Sequence, residues 1–265
     1  MSGHYDAGMV VGALPETFAL DDRPVCWLSL GATIYLGPPL DLSGHARMVG
    51  ALILGISGPL TMTTDGQSVR ARSVFIPAQA VTQIVQVPER VAVCTFDPTA
   101  TRVAHCTHGM RETGKGLYTG HRNERILIEM LTQDVFNPYR ILQQLGVSSP
   151  STSRRVDPRI TLLGEQVRRD PQTTLSASEA AATVSLSPSY FLTLFAAETG
   201  TTFRRYRLWV RLIHAATAVA DGKSLTQASA DAGFASPSHL SDTARALLGV
   251  STTAALATGA RLLVD

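Results

Sequence analysis

The chain has 265 residues, of which 45% are hydrophobic and 17% charged, with a formal net charge of +2. This composition is that of a globular protein rather than a disordered one, the length suits two domains, and no stretch reaches the roughly 20 apolar residues of a membrane span. Three cysteines, Cys26, Cys94 and Cys106, lack paired spacing, so they read as reduced, buried thiols of a cytoplasmic protein rather than a disulfide framework.

Residues 1–150 carry 11 basic and 12 acidic side chains, and the remainder carries 12 and 9. The excess of positive charge in the second part is compatible with phosphate contacts but identifies no partner by itself.

The first patterned region reads as strands. Short runs rich in Val, Ile, Leu and Thr cover 25–30, 33–36, 49–56, 60–63, 68–71, 73–76, 82–87 and 91–96, punctuated by Gly, Pro or Asp. Such spacing predicts a sandwich or small barrel, and Asp65-Gly66 between alternating runs is a hairpin cue.

From residue 120 the period lengthens towards 3.6. A helix is expected over 122–136, with Ile126, Met130 and Leu131 on one face and a second run at Leu127 and Val135. Pro138 breaks it, and Ile141, Leu142 and Leu145 continue on a second helix. The Ser- and Pro-containing stretch 146–155 reads as a linker. A new helix then starts at Asp157-Pro158, with Ile160, Leu163 and Val167 as its buried stripe.

The remainder of the chain repeats itself. Ser187-Pro188-Ser189-Tyr190 returns 49 positions later as Ser236-Pro237-Ser238-His239, and Gly200 returns as Gly249 at the same offset. Ser187 and Ser236 suit N-caps, since each hydroxyl can accept from a backbone N–H one turn in; Pro188 and Pro237 then fall where no N–H is needed. A short Ala-rich helix, 178–183 or 226–232, precedes each cap through a tight connection. Helix, turn and capped helix form a helix-turn-helix, here present twice. A long helix over 202–220 joins the two, with Phe203, Tyr206, Val210, Ile213 and Ala216 turned inward.

These residues carry a resemblance. Leu186-Ser187-Pro188-Ser189-Tyr190-Phe191, Leu194-Phe195, Glu198-Thr199-Gly200, Phe203, Tyr206, Arg211-Leu212 and Ala215 resemble the first half of the AraC/XylS-type transcription regulator domain. Ala232-Gly233-Phe234, Ser236, Ser238-His239-Leu240-Ser241 and Leu248-Gly249-Val250-Ser251 resemble its second half, so the likeness covers about 157–260. It implies an α+β two-domain protein: a cupin-like β-barrel with trailing helices in 1–148, a linker in 149–156, and an all-α domain of two helix-turn-helix units joined by a long helix in 157–265. The implied function is sequence-specific binding to double-stranded DNA at a promoter or operator, under control of a small-molecule effector in the barrel. RNA polymerase and a second copy of the chain are the further partners the resemblance implies, and a membrane is not among them. The helices after the barrel would form the dimer contact or cover the barrel's open side.

For the effector pocket the candidates are Trp27, Tyr35, Arg47, Met62 and Phe75. For DNA they are Ser187, Ser189, Leu192 and Thr193 in the first head, and Ser236, Ser238, His239 and Asp242 in the second. Arg204 and Arg205 on the joining helix are the candidates for phosphates. A catalytic cupin would need two histidines one residue apart on a strand, with a carboxylate nearby. Here His45 stands alone, and His105, Cys106 and His108 have no matching second pair. No metal, cofactor or enzymatic activity is therefore expected.

The chain also departs from the family pattern. Thr193, Ala196 and Ala197 stand where relatives carry basic residues, and Asp242 stands where they carry an arginine. Ala244 replaces an aromatic residue at the position aligned with Phe195, which removes core volume from the second head. A carboxylate can accept from cytosine N4 but is repelled by phosphates. The alternative readings are thus an interaction protein with weakened DNA binding, or a cupin-type enzyme, which the missing histidine pair disfavours.

Overall fold

The structure is a computed structural model that describes residues 17–40, 47–64, 67–80, 83–113, 116–147, 155–172, 175–248 and 251–265. His45, Asp65-Gly66, Gly249-Val250 and the greater part of the linker lie outside the described residues.

Every run read as a strand appears as one: β2 (Val25–Leu28), β3 (Ala32–Gly37), β4 (Ala51–Gly55), β5 (Leu60–Thr64), β6 (Gln67–Ala71), β7 (Ser73–Ile76), β8 (Gln83–Gln86) and β9 (Val91–Phe96). A two-residue β1 (Phe18–Ala19) precedes them; α1 (Val103–Cys106), β10 (Arg111–Thr113) and β11 (Leu117–Thr119) follow. The large sheet runs β10-β11-β7-β4-β9-β3-β2, and β6-β5-β8 form a separate three-stranded sheet. Alternation divides the side chains of the large sheet between two cores. Trp27, Ile34, Leu36, Leu52, Phe75 and Cys94 face one side, while Tyr35, Ile53, Val74, Ile76 and Val91 face the small sheet and pack with Leu60 and Met62.

The first side is covered by α2 (Glu124–Leu131) and α3 (Pro138–Gln144), through Leu127, Leu131, Ile141, Leu142 and Leu145. The helix expected to run to 136 stops at Leu131, because the chain turns into β12 (Val135–Phe136), which pairs with β1. That pairing inserts Phe136 into the core and turns Val135 outward, and Ile126 is exposed too; the face assigned to Ile126 and Val135 is corrected accordingly.

The second domain consists of α4 (Pro158–Arg169), α5 (Ala177–Thr183), α6 (Pro188–Thr199), α7 (Phe203–Ala220), α8 (Leu225–Asp231), α9 (Pro237–Leu248) and α10 (Thr252–Ala257). Its caps repeat as the sequence does. Ser176 and Ser224 close capping boxes with Glu179 and Gln227, Ser187 and Ser236 accept from Tyr190 N and His239 N, and Thr202 and Ser251 cap α7 and α10. Both tight turns use the same device: Leu186 N donates to Ala181 O and Phe234 N to Ser229 O, with Ser185 and Gly233 in the left-handed region between.

The chain does not end in a helix. Strand β13 (Arg261–Val264) returns to the first domain and pairs parallel with β2, extending the large sheet to eight strands. Arg261 N donates to Pro24 O at 2.8 Å and Asp265 N to Leu28 O at 3.1 Å, so β2 is not a bare edge.

Candidate DNA interface and interdomain cavity

The two heads share one core across α7. Phe191, Phe195, Phe203, Tyr206, Trp209 and Leu240 are buried in it, together with Met48 and Val49 from the first domain. With Phe191 and Phe195 anchored, α6 leaves Ser189, Leu192 and Thr193 exposed, and Tyr190 is 53% exposed beside them. Thr193 Oγ1 donates to Ser189 O at 3.1 Å, so its hydroxyl is engaged within the helix. Ser187 and Ser236 serve as caps, each using its oxygen on a helix N–H.

In the second head Leu240, Thr243 and Ala244 are buried, while Ser238, His239 and Asp242 are exposed. His239 Nδ1 accepts from Ala235 N at 3.4 Å and its ring packs edge-on to Phe234, which orients the side chain. Arg245, exposed one turn beyond Asp242, is a contact candidate the sequence reading did not single out. The spacing from Asp242 would have found it.

His239 and Asp242 form one side of a cleft of ≈ 750 Å³, with Thr202, Arg204, Arg205, Arg207 and Arg211 on the other. These arginines have different roles. Arg207 Nη1 donates to Leu175 O at 2.6 Å, and its guanidinium lies 5.8 Å from the centre of the Phe203 ring. Arg211 donates to Pro171 O at 2.9 Å and Gly233 O at 3.5 Å, tying the turn of the second head to the end of α4. Arg204 is exposed, and Arg205 Nη1 has no hydrogen-bond partner among the described residues. The cleft thus sets the exposed Arg204 and the half-buried Arg205, whose Nη1 is enclosed, opposite the second recognition helix.

A second feature joins the domains. Between β2, β3 and β9 on one side and α7, α9, α10 and β13 on the other lies a cavity of ≈ 250 Å³. Its walls are almost wholly apolar: Leu28, Val93, Trp209, Ile213, Leu240, Ala244, Ala255 and Leu262 are representative. Its polar groups are the Thr33 and Thr95 hydroxyls, 2.7 Å apart, with Tyr35, Cys26, Ser251, Thr252 and Thr258. Burial pushes the Cys26 thiol and the Tyr35 phenol each up to about 12, so both are neutral at ordinary pH. Of the five effector-pocket candidates, Tyr35 lines this cavity. Trp27 and Phe75 face the helix-covered side of the sheet, Met62 is buried between the two sheets, and Arg47 is 5% exposed.

Elsewhere the domains are held together by polar contacts. The Asp97 carboxylate, on the turn after β9, is paired with Arg168 of α4 and accepts from Thr99 N and Thr99 Oγ1 at 2.7 Å and from Tyr206 OH at 3.3 Å. Burial pushes its pKa up while Arg168 opposes the shift. Gly164 lets α4 approach this turn, since a Cβ there would lie 2.0 Å from Thr99 Oγ1. A second pair, Arg102 with Glu198, joins α1 to the first recognition helix; the same carboxylate accepts from Asp157 N at 2.9 Å.

Two capped helix-turn-helix units around a shared helix define a DNA-binding protein. Residues 180–257 match the sequence family described as a helix-turn-helix domain. The second domain accordingly contains a helix-turn-helix domain. In structure the chain is similar to ToxT from Vibrio cholerae. An apo variant from strain SCE256 superposes with a TM-score of 0.57 at 13% identity, over 86% of this chain and 97% of that one. ToxT from strain O395 bound to (E)-4-(8-methylnaphthalen-1-yl)but-3-enoic acid gives 0.53 at 11%, over 86% and 98%. Unsaturated fatty acid-bound ToxT from strain SCE256 gives 0.52 at 12%, over 84% and 94%. At these identities the likeness establishes the two-domain fold. No curated protein matches the chain in sequence. Among the described residues, no single helix is long and apolar enough to cross a membrane.

Proposed function

We propose that the chain is a cytoplasmic regulator whose affinity for an operator is set by a small apolar effector bound between its domains, without catalysis. The observation that carries this reading is the shared cavity. A ligand in it touches β2, β3 and β9 of the sensor and, at the same time, α7 and α9 of the DNA-binding domain. The ligands of the ToxT structures support a small-molecule response in a protein of this fold. Residues 1–148 serve as the sensor, 149–156 as the linker, and 157–265 as the reading domain, whose last strand, β13, joins the sensor's sheet. Ser189, Leu192 and Thr193 meet one major-groove segment and Ser238, His239 and Asp242 the next, while Arg204 and Arg205 neutralise phosphates between them. Ser187 and Ser236 add contacts at the helix starts. A second copy of the chain and RNA polymerase are the protein partners of this reading.

One observation favours a second reading, an interaction protein with weak DNA binding: α6 carries no Lys or Arg and exposes Tyr190 and Leu192. Selection of bound fragments from genomic DNA by the purified protein separates the two. Recovery of a few fragments sharing a two-part motif supports the regulator, whereas recovery without sequence preference supports the interaction protein.

A further inference from the structure

The two heads are filled differently. In the first, Phe191, Phe195, Phe203 and Tyr206 pack ring against ring, with centroids 5.1, 5.3, 5.6 and 5.9 Å apart in the four closest pairs. The 49-residue offset that relates Ser187 to Ser236 and Thr202 to Ser251 places Leu240, Ala244, Thr252 and Ala255 at those four positions. Not one ring of the first head's cluster has a counterpart in the second. All four replacements line the interdomain cavity, which is therefore continuous with the space those rings would take.

We propose that this cavity binds an uncharged aromatic molecule of one or two rings, which takes the place of the missing side chains and completes the core of the second head. The inference deepens the effector reading given above and rests on it for its consequence on DNA. Chemistry selects the ligand class. The described lining offers hydrocarbon, indole, hydroxyl and thiol groups and no charged side chain, so an anion entering it would lose hydration without gaining a cation. Size agrees with this class: an apolar cavity of roughly 150 Å³ admits benzene, and ≈ 250 Å³ leaves room for a second fused ring. The paired hydroxyls of Thr33 and Thr95 provide one polar contact at the sensor wall. Filling the space fixes α9 against α7, and with it His239 and Asp242, so occupancy is transmitted to the reading surface by packing.

The test uses the full chain with naphthalene as the probe and 2-naphthoate as its charged counterpart. Naphthalene near saturation should raise the melting midpoint by about 2 °C or more and change the fluorescence of Trp209, which forms part of the wall, in a Trp27→Phe background. Naphthoate should do neither. Ala244→Phe, which restores the first head's residue, should raise the ligand-free midpoint and weaken naphthalene binding at least tenfold; Ala255→Leu fills the site from another wall and should weaken it likewise. Absence of a naphthalene effect on the wild-type chain, equal binding of naphthoate, or undiminished binding by a folded filled variant would overturn the proposal. The Trp209 signal decides the matter even if neither variant folds. Since these readouts involve no DNA, naphthalene binding with no selective DNA retention would sink the regulator reading alone. Selective retention without naphthalene binding would sink this inference alone.

Discussion

Replacing Arg168 by Met should separate the two domains energetically. Asp97 is fully buried, and the Arg168 side chain is only 15% exposed. The substitution keeps most of the aliphatic packing while leaving a carboxylate in the interface without its cation. Removing one partner of a buried pair costs about 3–5 kcal/mol. Three donors remain on Asp97, two from Thr99 and one from Tyr206, which places the expected loss near the lower end, about 3 kcal/mol. At about 2–4 °C per kcal/mol for a chain of this size, the midpoint should fall by roughly 6–12 °C. Asp97→Asn in the Arg168→Met background removes the stranded charge and should recover more than half of the loss, giving strong coupling in a double-mutant cycle. The pH dependence has a definite sign. Burial already raises the Asp97 pKa with Arg168 opposing it; without Arg168 the folded-state pKa lies well above the unfolded one. The folded variant then holds its proton more tightly, so its deficit relative to wild type is largest at pH 8 and shrinks towards pH 5. Thermal denaturation of the four proteins at both pH values measures this. A loss under 1 kcal/mol, or additive single substitutions, would refute the assignment of Asp97 and Arg168 as the buried link.

Other expectations follow from the same geometry. His121 is 4% exposed, and its Nδ1 accepts from Asn123 N at 3.1 Å; burial, aided by the Arg122 charge, pushes its pKa down to about 4. A depressed histidine stabilises the fold fully above its unfolded value near 6.5, and that contribution is lost as pH falls from there to 4. His121→Gln should therefore flatten the acid limb of the stability curve between those pH values. Arg204→Ala with Arg205→Ala should weaken DNA binding at low salt about equally for all sequences and reduce the slope of log affinity against log salt by up to about 2. Asp242→Arg should tighten non-specific DNA binding and steepen its salt slope; unchanged affinity would place Asp242 away from the DNA. Ser185 occupies the left-handed position that Gly233 fills in the second head, so Ser185→Gly should stabilise the protein by about 0.5–1 kcal/mol in denaturant titration.

Much of this architecture was legible in the residues because its causes are local. Alternation in 33–36 and 91–96 marks strands, and Ser-Pro pairs at 187–188 and 236–237 mark helix starts; each signal acts over one turn or one pleat. The first recognition helix was legible for the same reason, since Phe191 and Phe195 can be buried only if Ser189, Leu192 and Thr193 are not. What escaped was decided at long range. Strand β13 exists because β2 offers an edge from the other end of the chain, and no period within 261–264 announces that partner. Val135 looked helical because apolar spacing cannot tell a helix face from a short strand that pairs with β1. The departure at Ala244 was visible as lost volume, but only the fold shows Leu240, Thr252 and Ala255 around the same space. Residue type alone does not tell which face of each strand points inward, and Trp27 and Phe75, though suited to a pocket by type, lie on the helix-covered side.

Salt titration of the purified chain on its best selected genomic fragment and on a scrambled duplex of equal length tests the central claim most directly. A regulator with two reading heads and the arginine-lined cleft should bind the selected fragment at least about a thousandfold more tightly than the scrambled one at physiological salt, with affinity for both falling linearly in log salt. Equal affinity for the two duplexes, or no binding to either at low salt with and without naphthalene, would contradict it.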